Sequence, residues 1–156
     1  MIRFTVAGHP APQGSKRAFA TKAGIRLVES SRRVTAWRDL IANVSQPHAP
    51  DQPYTGPIRV HLDFRLPVPN SAPKRRRLWA TKRPDIDKLV RACLDALTGI
   101  MWRDDSQIVR LTVTKDLAYE QPIGVSIAIE DLEGVDATPA VYKMLGTDAA
   151  TRLELA

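Results

Sequence analysis

Residues 82–99 read KRPDIDKLVRACLDALTG, and how this stretch folds decides the architecture of the chain. At 100° per residue, Ile86, Leu89, Val90, Cys93, Leu94 and Leu97 fall within one arc of about 140°. Asp87, Lys88, Arg91 and Asp95 take the opposite side. Pro84 disfavours helical backbone at Arg83 and suits the first turn, and Gly99 suits the left-handed position that follows a helix. The stretch therefore predicts one amphipathic helix set between strands. Upstream, Ile58, Val60, Leu62, Phe64 and Leu66 alternate strictly with Arg59, His61, Asp63 and Arg65, the clearest strand pattern in the chain. Downstream, Val109, Leu111 and Val113 alternate, as do Ile123, Val125, Ile127 and Ile129, with DLAYEQP between them as the loop of an expected antiparallel hairpin.

The N-terminal part adds three more elements. Ile2, Phe4 and Val6 alternate as a half-buried strand, and AFATKAGIRLVES predicts a hairpin turning at Lys22-Ala23-Gly24. Val34, Trp37, Ile41 and Val44 line one face of a helix that Ser30 or Ser31 can cap and that stops before Pro47. The fold class is α+β, a single mixed β-sheet with two main helices packed on one face. A domain over residues 1–133 is expected, followed by a tail over residues 134–156 with a short helix around 137–145.

With 156 residues, 44% of them hydrophobic, the chain can form one domain with a real core. No apolar run approaches the roughly 20 residues of a membrane span, and MIRFTVAGHP lacks the apolar segment of a signal peptide. Cys93 alone excludes an internal disulfide framework and a cysteine zinc site. A reducing, intracellular setting, the cytoplasm, is expected. The net charge of +6 points to an anionic partner. Residues 1–38 carry eight Lys and Arg against Glu29, and residues 74–91 carry eight more against Asp85 and Asp87.

Asp85 and Asp87 pose a problem of geometry. Side chains two apart on a helix point about 200° away from each other. If Asp85 is the N-cap, its backbone is extended and its carboxylate can swing toward that of Asp87. Aspartates at such a place commonly serve only as caps, and Asp104-Asp105, in WRDDSQ beyond the helix, can be a plain turn. If the strands pair so that this second acidic pair meets the first, the clustered carboxylates need a cation. Oxygen ligands without His or Cys suit Mg²⁺, with Mn²⁺ possible. An ion bridging carboxylate to phosphate reconciles acidic residues with a basic surface, and phosphodiester hydrolysis is the implied chemistry. The alternatives are a non-catalytic basic DNA-binding module and another Mg²⁺-dependent phosphoryl-transfer enzyme, the latter weakened by the lack of a Gly-rich phosphate loop.

RPDIDKLVRACLDAL…WRDDSQIV resembles the signature of the RusA family of Holliday junction resolvases, found in bacteria, phages and prophages. GHPAPQGSKRA and ESSRRVTAWRDLI extend the resemblance more loosely, to about residues 2–131. It implies a Mg²⁺-dependent endonuclease, a homodimer, that cuts four-way DNA junctions with paired symmetric nicks in recombination and repair. The family's metal-binding aspartates fall on Asp85, Asp87 and Asp105, with Asp104 orienting the loop. Its catalytic lysine falls on Arg91, a departure, because guanidinium holds phosphate but does not exchange protons. Lys88 on the same face can share that role. Lys74, Arg75, Arg76 and Arg77, with Lys82, Arg83 and Lys88, are candidate DNA contacts, and the resemblance adds Lys16 and Arg17. A two-fold dimer also suits a substrate of two-fold symmetry. Asp95 is expected to be structural, paired with Arg91. Asp63 is expected to be solvated or salt-bridged, and Cys93 to be core. Trp79 can wedge into a branch point, although packing is the commoner fate of a tryptophan.

Overall fold

The computed structural model describes residues 1–14, 17–21, 24–28, 32–73 and 75–135, with residues 17–21, 24–28 and 32 through their backbone only. The expected cap at Ser30 or Ser31, the Lys22-Ala23 turn, Lys16, Lys74 and the 137–145 helix lie outside the described residues. The chain runs β1 (Ile2–Ala7), β2 (Arg17–Thr21), β3 (Gly24–Val28), α1 (Arg32–Ser45), β4 (Ile58–Leu66), α2 (Ile86–Leu97), β5 (Ile108–Leu117) and β6 (Gly124–Asp131). Strands β1, β6, β4 and β5 form, in that order, one mixed sheet, and β2 pairs with β3 as a separate antiparallel hairpin. The architecture is α+β, as the alternation of patterns implied. Among the described residues no helix is long and apolar enough to cross a membrane.

Strand β4 lies at the centre. Its inward residues Ile58, Val60, Leu62 and Phe64 are completely buried. It pairs antiparallel with β6, Leu62 opposite Ile127, and parallel with β5, Leu62 opposite Val113. The expected β5–β6 hairpin therefore does not form. The strand with a fully apolar inner face takes the centre, where both edges are covered, and β6 passes to its far side to reach β1, Phe4 opposite Ile127. Strand β5 is left at the sheet edge. A parallel β4–β5 pair requires a crossover, and α2 supplies it. A bulge between the Ile58–Ile108 and Arg59–Arg110 pairs leaves Val109 as an extra residue, so it drops out of the alternation with Leu111 and Val113.

Both helices bury the residues that position the sheet. Val34, Trp37 and Ile41 of α1 are buried, as their spacing required. The buried face of α2 is rotated from the expected arc. Leu89, Ala92, Cys93, Ala96 and Leu97 are buried, whereas Ile86 is 40% exposed and Val90 and Leu94 are half-buried. Helix α1 packs on α2 as well as the sheet, and it reaches the side of Asp95, which pairs with Arg38 at 3.4 Å. Asp95 is thus structural, but its partner is Arg38 and not Arg91. Helix α2 ends with Gly99 at φ +83°, the left-handed residue expected there. Replacing Ala92→Leu is expected to destabilise the protein by about 1–3 kcal/mol, because the added methyls meet α1; urea unfolding measures it, and an unchanged midpoint would contradict this packing.

Candidate active site

The loop into α2 brings the first acidic pair to a basic surface. Asp85 occupies the N-cap position with extended backbone, φ −71° and ψ 141°, and its carbonyl accepts the Leu89 N–H at 3.2 Å. Its carboxylate caps nothing. Instead Lys88 donates to Asp85 Oδ2 at 2.9 Å. That hydrogen bond and the charge of Lys88, reinforced by Arg83 and Lys115, hold the Asp85 carboxyl below the usual carboxylate range. Asp87 is exposed in the first turn of α2. Arg91, one turn on, is exposed and forms no ion pair among the described residues. The cap reading of Asp85 therefore applies to its backbone and not to its side chain.

Three contacts fix this loop. Lys115 of β5 donates to the carbonyls of Pro84 at 2.9 Å and Lys82 at 3.2 Å. The Arg83–Pro84 peptide is cis. From the other side the Gln13 N–H bonds to the Lys88 carbonyl at 3.0 Å, docking the 8–14 loop against the first turn of α2. Lys115 escaped the sequence reading. The signal for it is its phase, because it falls in the inward register of β5, opposite Phe64 and between Val113 and Leu117. A lysine there must find polar partners, and the loop carbonyls are those partners.

A groove of about 1480 Å³ opens beside Asp85 and Lys88, walled by the 9–14 loop, α1 and the 66–84 segment. Arg33, Arg76, Lys82 and Arg83 line it. Arg75 and Arg76 are exposed without an ion pair among the described residues. Arg77 differs from its neighbours. It forms an ion pair with Glu120 and lies over the Tyr119 ring, 5.8 Å from its centre, so its charge is already matched. Arg17 is described through its backbone alone, in β2. Asp63 is salt-bridged to Arg65, as expected, and accepts from Thr114.

WRDDSQ is a staple at the other end of α2. Trp102 is completely buried. Asp104 caps the Asp105–Gln107 turn, accepting from the Ser106 N–H at 2.8 Å, and this bond lowers its pKa. Gln107 Oε1 accepts from the N–H groups of Arg103 and Asp104, while its Nε2 donates to the carbonyls of Tyr54 and Gly56. Asp105 Oδ1 accepts from Thr98 Oγ1 at 2.6 Å and Trp102 Nε1 at 2.8 Å. Both bonds use one oxygen, and Oδ2 has no bond among the described residues.

The two acidic pairs do not meet within one chain. At about 1.5 Å per residue, roughly 16 Å of helix separates Asp87 from Thr98, which holds Asp105. Strand β5 runs parallel to β4, so its start lies beside Ile58 and far from Leu66 and the loop into α2. Among the described residues no three Asp, Glu, His or Cys side chains gather to hold a metal ion. Within one chain Asp85 and Asp87 lie at the start of α2 and Asp105 at its end.

Because Asp85 has a lowered pKa in the folded chain, its pair with Lys88 persists above the usual carboxylate range and is lost as pH falls through the lowered value. Replacing Lys88→Met is expected to raise the Asp85 midpoint toward the ordinary 3.8, followed by NMR of the carboxyl carbon. An unmoved midpoint would rule out the pair.

The profile described as Endodeoxyribonuclease RusA matches residues 8–130. The chain is also 30% identical over 135 residues to "Uncharacterized protein YqaN" of Bacillus subtilis (strain 168), an alignment covering 81% of this chain and 94% of that protein. The chain belongs to the RusA family of crossover junction endodeoxyribonucleases, hydrolases that act on phosphodiester bonds.

Proposed function

We propose that residues 1–133 form a homodimeric, Mg²⁺-dependent nuclease that resolves four-way DNA junctions by paired symmetric nicks, with Mn²⁺ able to replace Mg²⁺. The observation that carries this reading is Asp85. Its carboxylate stands outside α2, unused as a cap, beside exposed Asp87 and next to a basic groove. A carboxylate-only donor set suits a hard cation. One chain supplies two of the three donors at one place, and a second copy supplies the third.

The second copy follows from the apolar surface between the two partial sets. Ile86, Val90 and Leu94 recur every four residues as a half-covered stripe along α2. Strand β5, at the sheet edge, adds Leu111 at 44% exposed and Val109 at 58%. An isologous contact on this stripe, with its two-fold axis perpendicular to α2, sets two α2 helices antiparallel. The start of each helix then faces the end of the other, bringing the partner's Asp105 toward Asp85 and Asp87. Asp87 and Arg91 follow the stripe on the helix surface at 100° per residue, so they border the interface.

In this arrangement Asp85, Asp87 and the partner's Asp105 would hold the ion, whose chemistry when bound is charge stabilisation at the phosphate and an acidified water. Thr98 and Trp102 aim Asp105 through Oδ1 and leave Oδ2 for a ligand. Arg91 binds the scissile phosphate and stabilises its growing charge, a role that needs no proton exchange. Lys88 keeps Asp85 ionised. Arg75, Arg76, Lys82 and Arg83 hold flanking phosphates, and Arg77 chiefly holds the loop to Glu120. Lys16, Arg17 and Lys74 remain proposed DNA contacts on the grounds of sequence.

Incubation with a synthetic four-way junction is expected to give paired, ligatable nicks with Mg²⁺ and none with EDTA. Asp87→Asn is expected to lower cleavage at least about 100-fold while junction binding holds or improves, since one charge that repels phosphate is lost. Near wild-type cutting by that variant would overturn the metal assignment. Leu111→Asp is expected to give a folded monomer by sedimentation that binds DNA and does not cut. A Leu111→Asp monomer with full cleavage would show that one chain suffices.

A further inference from the structure

Trp79 is the most exposed large apolar side chain among the described residues, at 82%, whereas Trp37 and Trp102 are 3% and 0% exposed. Packing, its expected fate, is therefore not what it does. Nor does it hang from a loose loop. On one side the Leu78 N–H donates to Tyr119 Oη at 2.9 Å, and on the other Ala80 is buried in the core. The Thr81 N–H closes a tight turn onto the Trp79 carbonyl at 2.9 Å. Anchors on both sides thus push an indole into water, where it forfeits the burial its size would give.

Its surroundings identify what covers it. Trp79 lines the same groove as Asp85, and the groove's cations include Arg76, Lys82 and Arg83. At about 1480 Å³ the groove exceeds the roughly 300–1,000 Å³ of small-molecule sites, so it suits a segment of strand. Cations flanking a presented aromatic face are the usual means of holding unpaired nucleotides, phosphate on charge and base on ring. Bases inside a linear duplex have no free face to offer. At a branch point the stack is interrupted, and an apolar wedge can cover the exposed base.

We propose that Trp79 stacks on an unpaired base at the branch point, and that this contact, more than the phosphate contacts, selects branched over linear DNA. The inference deepens the proposed nuclease reading and rests on it for the substrate, but it is read without metal. Binding of a synthetic four-way junction, a linear duplex and a short single strand is measured in EDTA for the wild type, Trp79→Ala and Trp79→Phe. Wild-type tryptophan fluorescence is expected to be quenched by the junction and the single strand, and not by the duplex. Trp79→Ala is expected to bind the junction about 10-fold more weakly, Trp79→Phe within about threefold of wild type, and both to bind the duplex normally. The salt slope stays unchanged, because no phosphate contact is lost. Equal losses on junction and duplex, a shallower slope, or wild-type junction binding by Trp79→Ala would overturn the proposal. A wild type that is quenched by unpaired DNA but cuts no junction with Mg²⁺ would overturn the nuclease reading and leave stacking standing.

Discussion

Helix α2 is a rod of fixed length, and its length governs the site. Its 12 residues run between Asp85, the N-cap, with Asp87 in the first turn, and Thr98, the C-cap that holds Asp105. No side-chain rotation closes roughly 16 Å. The parallel pairing of β4 and β5 makes the separation unavoidable, because the same helix that crosses between them must span the sheet. The proposed three-carboxylate site therefore draws on two copies of the rod, side by side and reversed. The rotation of the buried face toward Ala92 and Ala96 leaves Ile86, Val90 and Leu94 available for that contact.

The charges divide along the same line. Several cations are spent on structure, Arg38 on Asp95, Arg59 on Glu130, Arg65 on Asp63 and Arg77 on Glu120. Arg75, Arg76, Lys82, Arg83 and Arg91 form no ion pair among the described residues. Of these, Arg76, Lys82 and Arg83 line the groove and Arg91 lies one turn beyond Asp87 in α2, where phosphate would lie on the proposed reading. Lys88 acts through both its side chain and its main chain. Its ammonium group holds the Asp85 carboxyl below the usual carboxylate range, and its main-chain carbonyl ties the first turn of α2 to the 8–14 loop.

Local features were legible in the sequence because local chemistry dictates them. The strict alternation of 58–66 gave the central strand, Pro84 put Asp85 outside the helix, and Gly99 marked the helix end. Asp104 could be read as orienting its loop, and it does so as a cap. What failed depends on neighbours. The β5–β6 hairpin was the shorter connection, but β4 needed partners on both edges. The helical wheel assumed one burying surface for α2, whereas the sheet and α1 bury it from two directions. Arg91 lies one turn from Asp95 in the same helix, but the partner of Asp95 is Arg38 of α1. Of the candidate site, the residues were readable and their distances were not. Lys115 and the exposure of Trp79 emerged only with strand register and loop anchoring.

The central claim is that each metal site draws Asp85 and Asp87 from one copy and Asp105 from the other. Mixing an Asp87→Asn chain with an Asp105→Asn chain, each inactive alone, tests it. In the mixed dimer one site carries both lesions and the other carries neither. The account predicts that the mixture regains junction cleavage, as single nicks that are not paired. If mixed dimers form and still cut nothing, each site belongs to a single chain and the account is wrong.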